Sequence, residues 1–182
     1  MSRNSLMLVV IILAAYLILP ANTNAQPFGY EGTQVCGMCH KIEKYGNQSK
    51  VWQESKHSQA FKALQTPAAD KIATDKGLKT KAAESKECLR CHTSGYNVDK
   101  ALVGAKFKVE DGVQCETCHG PGSAYKSMPV MKNKEDAVKK GLMVHADVEK
   151  FCKTCHNSES PSFKGFNFAE SWKKIAHPMP KG

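Results

Sequence analysis

The sequence predicts a mainly α-helical fold with long loops and little or no β-sheet. One short motif, which spans about one helical turn, recurs four times along the chain. Between its copies, apolar side chains recur every three or four residues, which is helical spacing. The stretches between these helices are rich in Gly, Pro, Ser and Lys, which is typical of loops.

The repeated motif is Cys-x-x-Cys-His, and its copies contain all eight cysteines of the 182-residue chain. This motif is the attachment signature of c-type haem: two thiols bond the porphyrin, and the adjacent imidazole binds the iron as proximal ligand. We therefore predict a multihaem cytochrome c wrapped around four covalent haems. The predicted attachment and proximal residues are Cys36, Cys39 and His40; Cys88, Cys91 and His92; Cys115, Cys118 and His119; and Cys152, Cys155 and His156.

Disulfide bonds and zinc knuckles are the alternative explanations for the paired cysteines. Neither requires a histidine directly after every second cysteine, and the chain has only 7 histidines in 182 residues. Four such matches by chance have a probability on the order of a few in a million. The motif therefore favours haem attachment.

The N-terminal residues have the pattern of an export signal. Arg3 is followed by an apolar run over residues 6–19, then by Pro20 and by small residues up to Ala25. We predict a signal peptide over residues 1–25, a tetrahaem domain over residues 26–182 and a periplasmic location. An uncleaved N-terminal membrane anchor is the alternative, although the run is shorter than the roughly 20 residues of a bilayer span.

The chain is basic, with 26 Lys and Arg against 17 Asp and Glu and a formal net charge of +9. Haem propionates offset part of this charge, so the holoprotein is less basic than its sequence. After residue 25 the only arginine is Arg90, and lysines attract anions diffusely instead of binding phosphate bidentately. We expect redox partner proteins to dock on a Lys-rich surface, and we expect no nucleic-acid binding.

Several elements between the motifs can be predicted from local patterns. The polar residues 66–86, with Pro67 near their start, indicate a mobile helical excursion between the first two motifs. Apolar and polar side chains alternate over residues 105–109, which predicts one short strand. Gly120-Pro121-Gly122 predicts a tight turn. Further helices are predicted over residues 134–140, between His145 and the fourth motif, and at the C-terminal end, where Phe168, Trp172 and Ile175 have helical spacing.

A helix is also predicted over residues 50–65, with His57, Phe61 and Leu64 on one face. Because this apolar face has to cover a porphyrin, an axial role for His57 is favoured over a structural one. His177 precedes Pro178, which ends the terminal helix. Its position beside aromatic residues makes His177 a second candidate for an axial ligand.

Only three histidines, His57, His145 and His177, remain after the four proximal ones. At most three irons can therefore have two histidine ligands from this chain. The fourth iron is open, is bound by Met, Lys or water, or is completed by another chain. Among the candidate methionines, Met128, Met131 and Met143, packing against haem edges is favoured over ligation. An open iron could bind a small ligand such as nitric oxide, whereas irons with two histidines only pass electrons.

Four stretches carry a resemblance to a known family. They are residues 35–40, residues 52–57, residues 88–96 and the segment DGVQCETCHGPG at residues 111–122. In these stretches the chain resembles the tetrahaem cytochrome c-554 family, the electron acceptors of hydroxylamine oxidoreductase in ammonia-oxidising bacteria. The resemblance implies a mostly helical wrap around stacked haem pairs.

The resemblance also implies a set of distal ligands. His57 would bind the third haem and His177 the fourth, and the second haem, on His92, would be five-coordinate. The family expects a distal histidine for the first haem shortly after the Gly-Pro-Gly turn, but residues 123–126 read SAYK. His145 is the remaining imidazole, so we assign it to the first haem.

The function expected from these features is periplasmic electron transfer through four haems, without catalytic residues. One alternative is a small reductase that acts on nitric oxide, nitrite or hydroxylamine at the open haem of His92. Such an enzyme needs proton donors near the iron, and the sequence places no such cluster there. A subunit of a larger multihaem assembly or oligomer is the other alternative.

Overall fold

The computed structural model describes residues 28–177. The predicted signal peptide lies outside the described residues. None of the helices in the described range has the length and apolar character needed to cross a membrane. This part of the chain contains ten α-helices. They are α1 (Thr33–His40), α2 (Gln48–Glu54), α3 (Ala60–Leu64), α4 (Pro67–Asp75), α5 (Lys86–His92), α6 (Cys115–His119), α7 (Met128–Met131), α8 (Lys134–Lys139), α9 (Val148–Cys152) and α10 (Phe168–Ile175).

The mainly α prediction is confirmed, because residues 28–177 contain only one isolated β-bridge, between Tyr30 and Val103. Tyr30 donates a hydrogen bond to the carbonyl of Leu102 and accepts one from the amide of Gly104, each 2.7 Å long. The strand predicted over residues 105–109 is wrong. After Gly104 the chain turns, and it enters a 3-10 helix at Val109–Asp111.

The single helix predicted over residues 50–65 is divided into three pieces. Helix α2 ends at Glu54, and the next residue, Ser55, has an extended backbone (φ −82°, ψ 160°). A 3-10 helix, Lys56–Gln59, follows, and the Ser55 side chain accepts a hydrogen bond from the amide of His57. Helix α3 then begins at Ala60. His57 is therefore presented by a capped turn, whereas Phe61 and Leu64 on α3 are buried.

The helix predicted within residues 66–86 is confirmed as α4, and the segment packs against its neighbours. Ala73 on α4 and Ala82 in the following turn are both 1% exposed and contact Leu64. The Asp70 side chain accepts a 3.0 Å hydrogen bond from the amide of Ala82. Leu89 packs against the same cluster. This segment therefore holds α5, and with it the second motif, in place.

The helices predicted for the C-terminal half are confirmed. Helix α8 is followed by Gly141 at φ +104°, a conformation that favours glycine. Helix α9 leads into the fourth motif after His145. Helix α10 includes Phe168, Trp172 and Ile175 and ends just before His177.

Candidate haem-binding site

Each of the four Cys-x-x-Cys-His motifs lies on or directly after a short helix. His40, His92 and His119 are the last residues of α1, α5 and α6. In the fourth motif α9 ends at Cys152, and the amides of Cys155 and His156 both donate to the Cys152 carbonyl, which keeps the chain coiled. All eight cysteines are free thiols. The disulfide alternative is therefore absent from the structure.

The zinc alternative requires a cluster of ligands around one point. Among residues 28–177, no group of three or more His, Cys, Asp or Glu side chains is arranged to hold a metal ion. The motifs thus offer thiol pairs with one imidazole each. This donor set suits a porphyrin that brings its own four nitrogens to the iron.

Two of the proximal rings are oriented by hydrogen bonds from Nδ1. The Nδ1 atom of His92 donates to the carbonyl of Ala60 at 2.8 Å, and that of His40 donates to Oε1 of Gln48 at 3.1 Å. With the proton on Nδ1, the lone pair of Nε2 is free to bind a metal, and the hydrogen bond fixes the ring plane.

The other two proximal rings each face a second imidazole. The ring centroids of His119 and His177 are 5.7 Å apart, and those of His57 and His156 are 6.0 Å apart. Two imidazoles that bind one metal ion from opposite sides have centroids roughly 6 Å apart, because each nitrogen lies about 2 Å from the metal. Both pairs therefore have the separation that one shared iron would require.

This placement reverses the pairing implied by the family resemblance, which put His57 with the third motif and His177 with the fourth. The structure places His57 beside His156 of the fourth motif and His177 beside His119 of the third. The physical reason is the course of the chain. The amide of Val113 binds the carbonyl of His57 and holds that turn just before the third motif. The fourth motif adjoins the third, so the His57 ring can face His156. Helix α10 brings His177 back to His119.

Burial keeps these rings neutral, which is the form that binds a metal. Burial, together with the nearby rings of His177, His40 and His145, lowers the pKa of His119 to about 4. Burial also lowers the pKa values of His57, His156 and His177. Neutral imidazoles and free thiols are what covalent haem needs, so the residues fit the group.

The thiols show which motifs are neighbours. The interaction of the Cys36 thiol with the neighbouring Cys115 thiol is the main cause of the raised pKa of Cys36. Burial, followed by the charge of Cys155 and a hydrogen bond with it, raises the pKa of Cys91 to about 11. The first motif therefore adjoins the third, and the second adjoins the fourth.

The third and fourth motifs are also close to each other. Burial raises the pKa of the Cys118 thiol to about 11, and the charges of Cys152, Cys115 and Cys155 contribute. The four motifs therefore follow one another in space in the order first, third, fourth, second. Spacing along the sequence gave no indication of this order.

His145 and the methionines are placed differently from the paired rings. The Nε2 atom of His145 donates to the Cys118 carbonyl at 2.7 Å, and its ring stacks on Phe151 with centroids 3.8 Å apart. Within residues 28–177 it makes no ring contact with His40. Its assignment to the first haem stays a prediction. Of the methionines, Met143 lies near His119, because its amide binds the His119 carbonyl at 2.9 Å.

Sequence reasoning assigned no role to two buried residues beside the motifs. Glu116, inside the third motif, is 1% exposed, and Tyr125 is 5% exposed. The Tyr125 hydroxyl group donates to the carbonyls of His119 and Gly120. An acidic residue between two haem-binding cysteines was the one signal that could have identified Glu116.

Thiol pairs on short helices, each followed by an imidazole, define a c-type cytochrome. Residues 35–120 match the family described as cytochrome c554 and c-prime. Over 168 residues the chain is 27% identical to cytochrome c-554 of Nitrosomonas europaea, a match that covers 84% of this chain and 68% of that protein. No solved structure matches this chain. The chain is therefore similar to the cytochrome c-554 family.

The motifs and this similarity together indicate the general activity. The protein binds covalent c-type haem and takes part in haem-based electron transfer with redox partner proteins.

Proposed function

We propose that residues 26–182 form one domain that carries electrons through four covalent haems between periplasmic partners. The haems are attached at the four Cys-x-x-Cys-His motifs, with His40, His92, His119 and His156 as proximal ligands. Residues 1–25 direct the chain to the periplasm, where partners exchange electrons with it.

The observation that carries this proposal is the spatial order of the motifs. Thiols of the first and third motifs lie close enough to shift each other's pKa, and the thiol pKa values of Cys91 and Cys118 are raised by the neighbouring Cys155 and Cys152 of the fourth motif. Haems attached at these positions form one continuous row, which electrons cross in short steps. A row with an end at the first motif and an end at the second suits a protein that accepts and donates electrons at different places.

The paired rings support two closed irons within this row. His177 is the distal ligand of the third haem, and His57 is the distal ligand of the fourth, since the centroids are 5.7 and 6.0 Å from those of the proximal rings. An iron with two histidine ligands has no free position for a substrate. The middle of the row therefore only passes electrons.

The first motif offers a docking surface at one end of the row. Met38 is 65% exposed and Ile42 is 42% exposed, and Lys41 and Lys44 are exposed beside them. Among the ion pairs of residues 28–177, Arg90 of the second motif and Lys153 of the fourth have acidic partners, whereas Lys41 and Lys44 have none. An apolar centre with unpaired lysines suits an acidic redox partner.

Stopped-flow measurements on the purified holoprotein test the electron-carrier proposal. The reduced protein is expected to deliver one electron per haem to ferricyanide and then to stop. Haem analysis is expected to give four haems per chain, and a smaller number would contradict the proposed row. Sustained consumption of nitric oxide, nitrite or hydroxylamine under excess reductant would overturn the carrier proposal.

One observation favours reductase activity as a second candidate function. Within residues 28–177, none of the three spare histidines makes a ring contact with His92 or His40, and the remaining His145 is assigned to the haem of His40. The iron at His92 then has an open position for a small ligand such as nitric oxide. Electron paramagnetic resonance of the oxidised protein is expected to show one high-spin iron in four, and four low-spin irons would exclude this candidate.

A further inference from the structure

Glu116 is a buried acid in the middle of the third haem-binding motif. Its side chain is 1% exposed, yet both carboxylate oxygens are fully used. The amide of Glu31 donates to both oxygens, at 2.9 and 3.0 Å, and the amide of Gly32 donates at 2.8 Å. The amide of Gly122 donates at 2.7 Å. Both oxygens act only as acceptors, which is the role of an ionised carboxylate.

The backbone around this carboxylate is built for close approach. A Cβ atom on Gly122 would lie 3.1 Å from Oε1 of Glu116, which is tighter than ordinary contact. Gly32 has φ +90°, and a Cβ atom there would lie 2.7 Å from the carbonyl oxygen of Lys106. Glycine at these two positions lets two chain segments donate amides to the same side chain.

Among residues 28–177 the charge on Glu116 has no cationic partner, because none of their four ion pairs includes it. One of these pairs joins Lys126 to the side chain of Glu31, so this lysine is paired with a different carboxylate. Buried charges interact over longer distances than exposed ones, because the surrounding medium screens them weakly.

The groups whose pKa responds to this charge include Tyr30 and a cysteine of the first motif. Burial raises the pKa of Tyr30, and the charge of Glu116 raises it further. The same charge adds to the raised pKa of Cys36, after the Cys115 hydrogen bond, burial and the Cys115 charge. The affected cysteine is a predicted haem attachment point, so the charge lies beside the first haem as well as the third.

We propose that Glu116 is a positioning residue with two effects on the first and third haems. Its carboxylate ties the segment at Glu31 and Gly32 and the turn at Gly122 to helix α6. Its negative charge stabilises the ferric form of both haems and so lowers their reduction potentials. This inference rests on the proposed attachment of haems at the first and third motifs.

Redox titration of the Glu116→Gln holoprotein tests the electrostatic effect, because glutamine keeps the shape and removes the charge. Two of the four reduction potentials are expected to rise, each by at least a tenfold change in the reduction equilibrium constant, about 59 mV for one electron. The other two potentials are expected to stay unchanged. Four unchanged potentials in a folded variant would overturn the proposal.

Two matched variants separate charge from shape. Glu116→Asp keeps the charge, so its potentials are expected to remain close to those of the unmodified protein. A shift in its potentials as large as that of Glu116→Gln would overturn the electrostatic assignment. If Glu116→Gln fails to fold, the potentials of Glu116→Asp are compared with those of the unmodified protein, and a shift of about 59 mV or more would overturn the assignment. Glu87→Gln removes an exposed carboxylate beside Cys88, and it is expected to leave all potentials unchanged.

Hydrogen exchange on the unmodified holoprotein tests, without any substitution, whether backbone amides are held by hydrogen bonds to Glu116. The amides of Gly32 and Gly122 are expected to be protected as strongly as amides inside α1. Exchange at the rate of an exposed loop would overturn the structural effect. Counting haems in the same sample keeps the outcomes distinct: fewer than four would contradict the proposed attachments, whereas unprotected amides with four haems would contradict only the role of Glu116.

Discussion

The first and third motifs have the same three fixed residues but occupy opposite environments. In the first motif Met38 is 65% exposed and Cys39 is exposed. In the third motif Glu116 is 1% exposed and binds three backbone amides. The first motif lies at the surface beside unpaired lysines, whereas two chain segments enclose the third.

This difference shows that the fixed residues and the variable residues have separate roles. The two cysteines and the histidine supply the attachment chemistry in both places. The residues between the cysteines decide whether the motif faces a partner protein or joins the interior. The third motif should therefore matter most for folding, and the first most for docking.

Removing the thiols of the third motif is expected to have the largest effect. Cys115→Ala combined with Cys118→Ala should prevent assembly of the fold, because the interior is organised around that haem. Cys36→Ala combined with Cys39→Ala should lose one haem and leave three. Haem analysis and circular dichroism measure both outcomes. If the two double variants lost the same amount of helix, the contrast between the motifs would be wrong.

Opening the third-motif iron is expected to have the next largest effect. His177→Ala removes the ring that faces His119, so one low-spin iron should become high-spin. Electron paramagnetic resonance of the oxidised variant measures the change. Lys174→Ala on the same helix, α10, is the control and should leave the spectrum unaltered. An unchanged low-spin count in His177→Ala would show that His177 is not a ligand.

Reversing charge at the first motif is expected to slow electron transfer with an anion several-fold. Lys41→Glu combined with Lys44→Glu should reduce the rate of oxidation by ferricyanide at low salt, and high salt should remove the difference. Lys76→Glu combined with Lys79→Glu makes the same change in net charge away from the motifs. Equal slowing in both double variants would indicate a general effect of charge and no docking surface.

Weakening the link between the two motif regions is expected to have the smallest effect. The Trp52 indole donates a 2.8 Å hydrogen bond to the carbonyl of Val113, just before the third motif. Trp52→Phe should lower the free energy of unfolding by about 1 kcal/mol, because that carbonyl loses its partner. Denaturant titration measures this change. Trp172→Phe, at a residue 44% exposed, is the control and should cost less.

The sequence was sufficient for the features that depend on local patterns. The mainly helical class, the motif helices and α8 to α10 follow from short-range spacing, capping and turn residues. The break at Ser55 was missed because an apolar stripe at residues 57–64 resembles a continuous helix. Ser55 instead caps the next turn. The packed excursion at residues 66–86 was missed because its contacts are made mainly by small alanines.

The site was harder to predict because it depends on contacts between residues that are far apart in the sequence. Counting histidines identified His57 and His177 as candidates, but their order around the motifs depends on how α10 returns and on where Val113 binds the His57 turn. The role of Glu116 depends on amides 84 and 85 residues earlier in the chain. No local pattern contains such information.

Proton nuclear magnetic resonance of the fully reduced holoprotein tests the proposed pairing of the histidines. Each distal histidine ring should show nuclear Overhauser contacts to the haem that it binds, and the thioether protons identify that haem by its cysteines. We expect His57 to contact the haem on Cys152 and Cys155, and His177 to contact the haem on Cys115 and Cys118. The opposite pairing, or the absence of contacts from either ring, would contradict it.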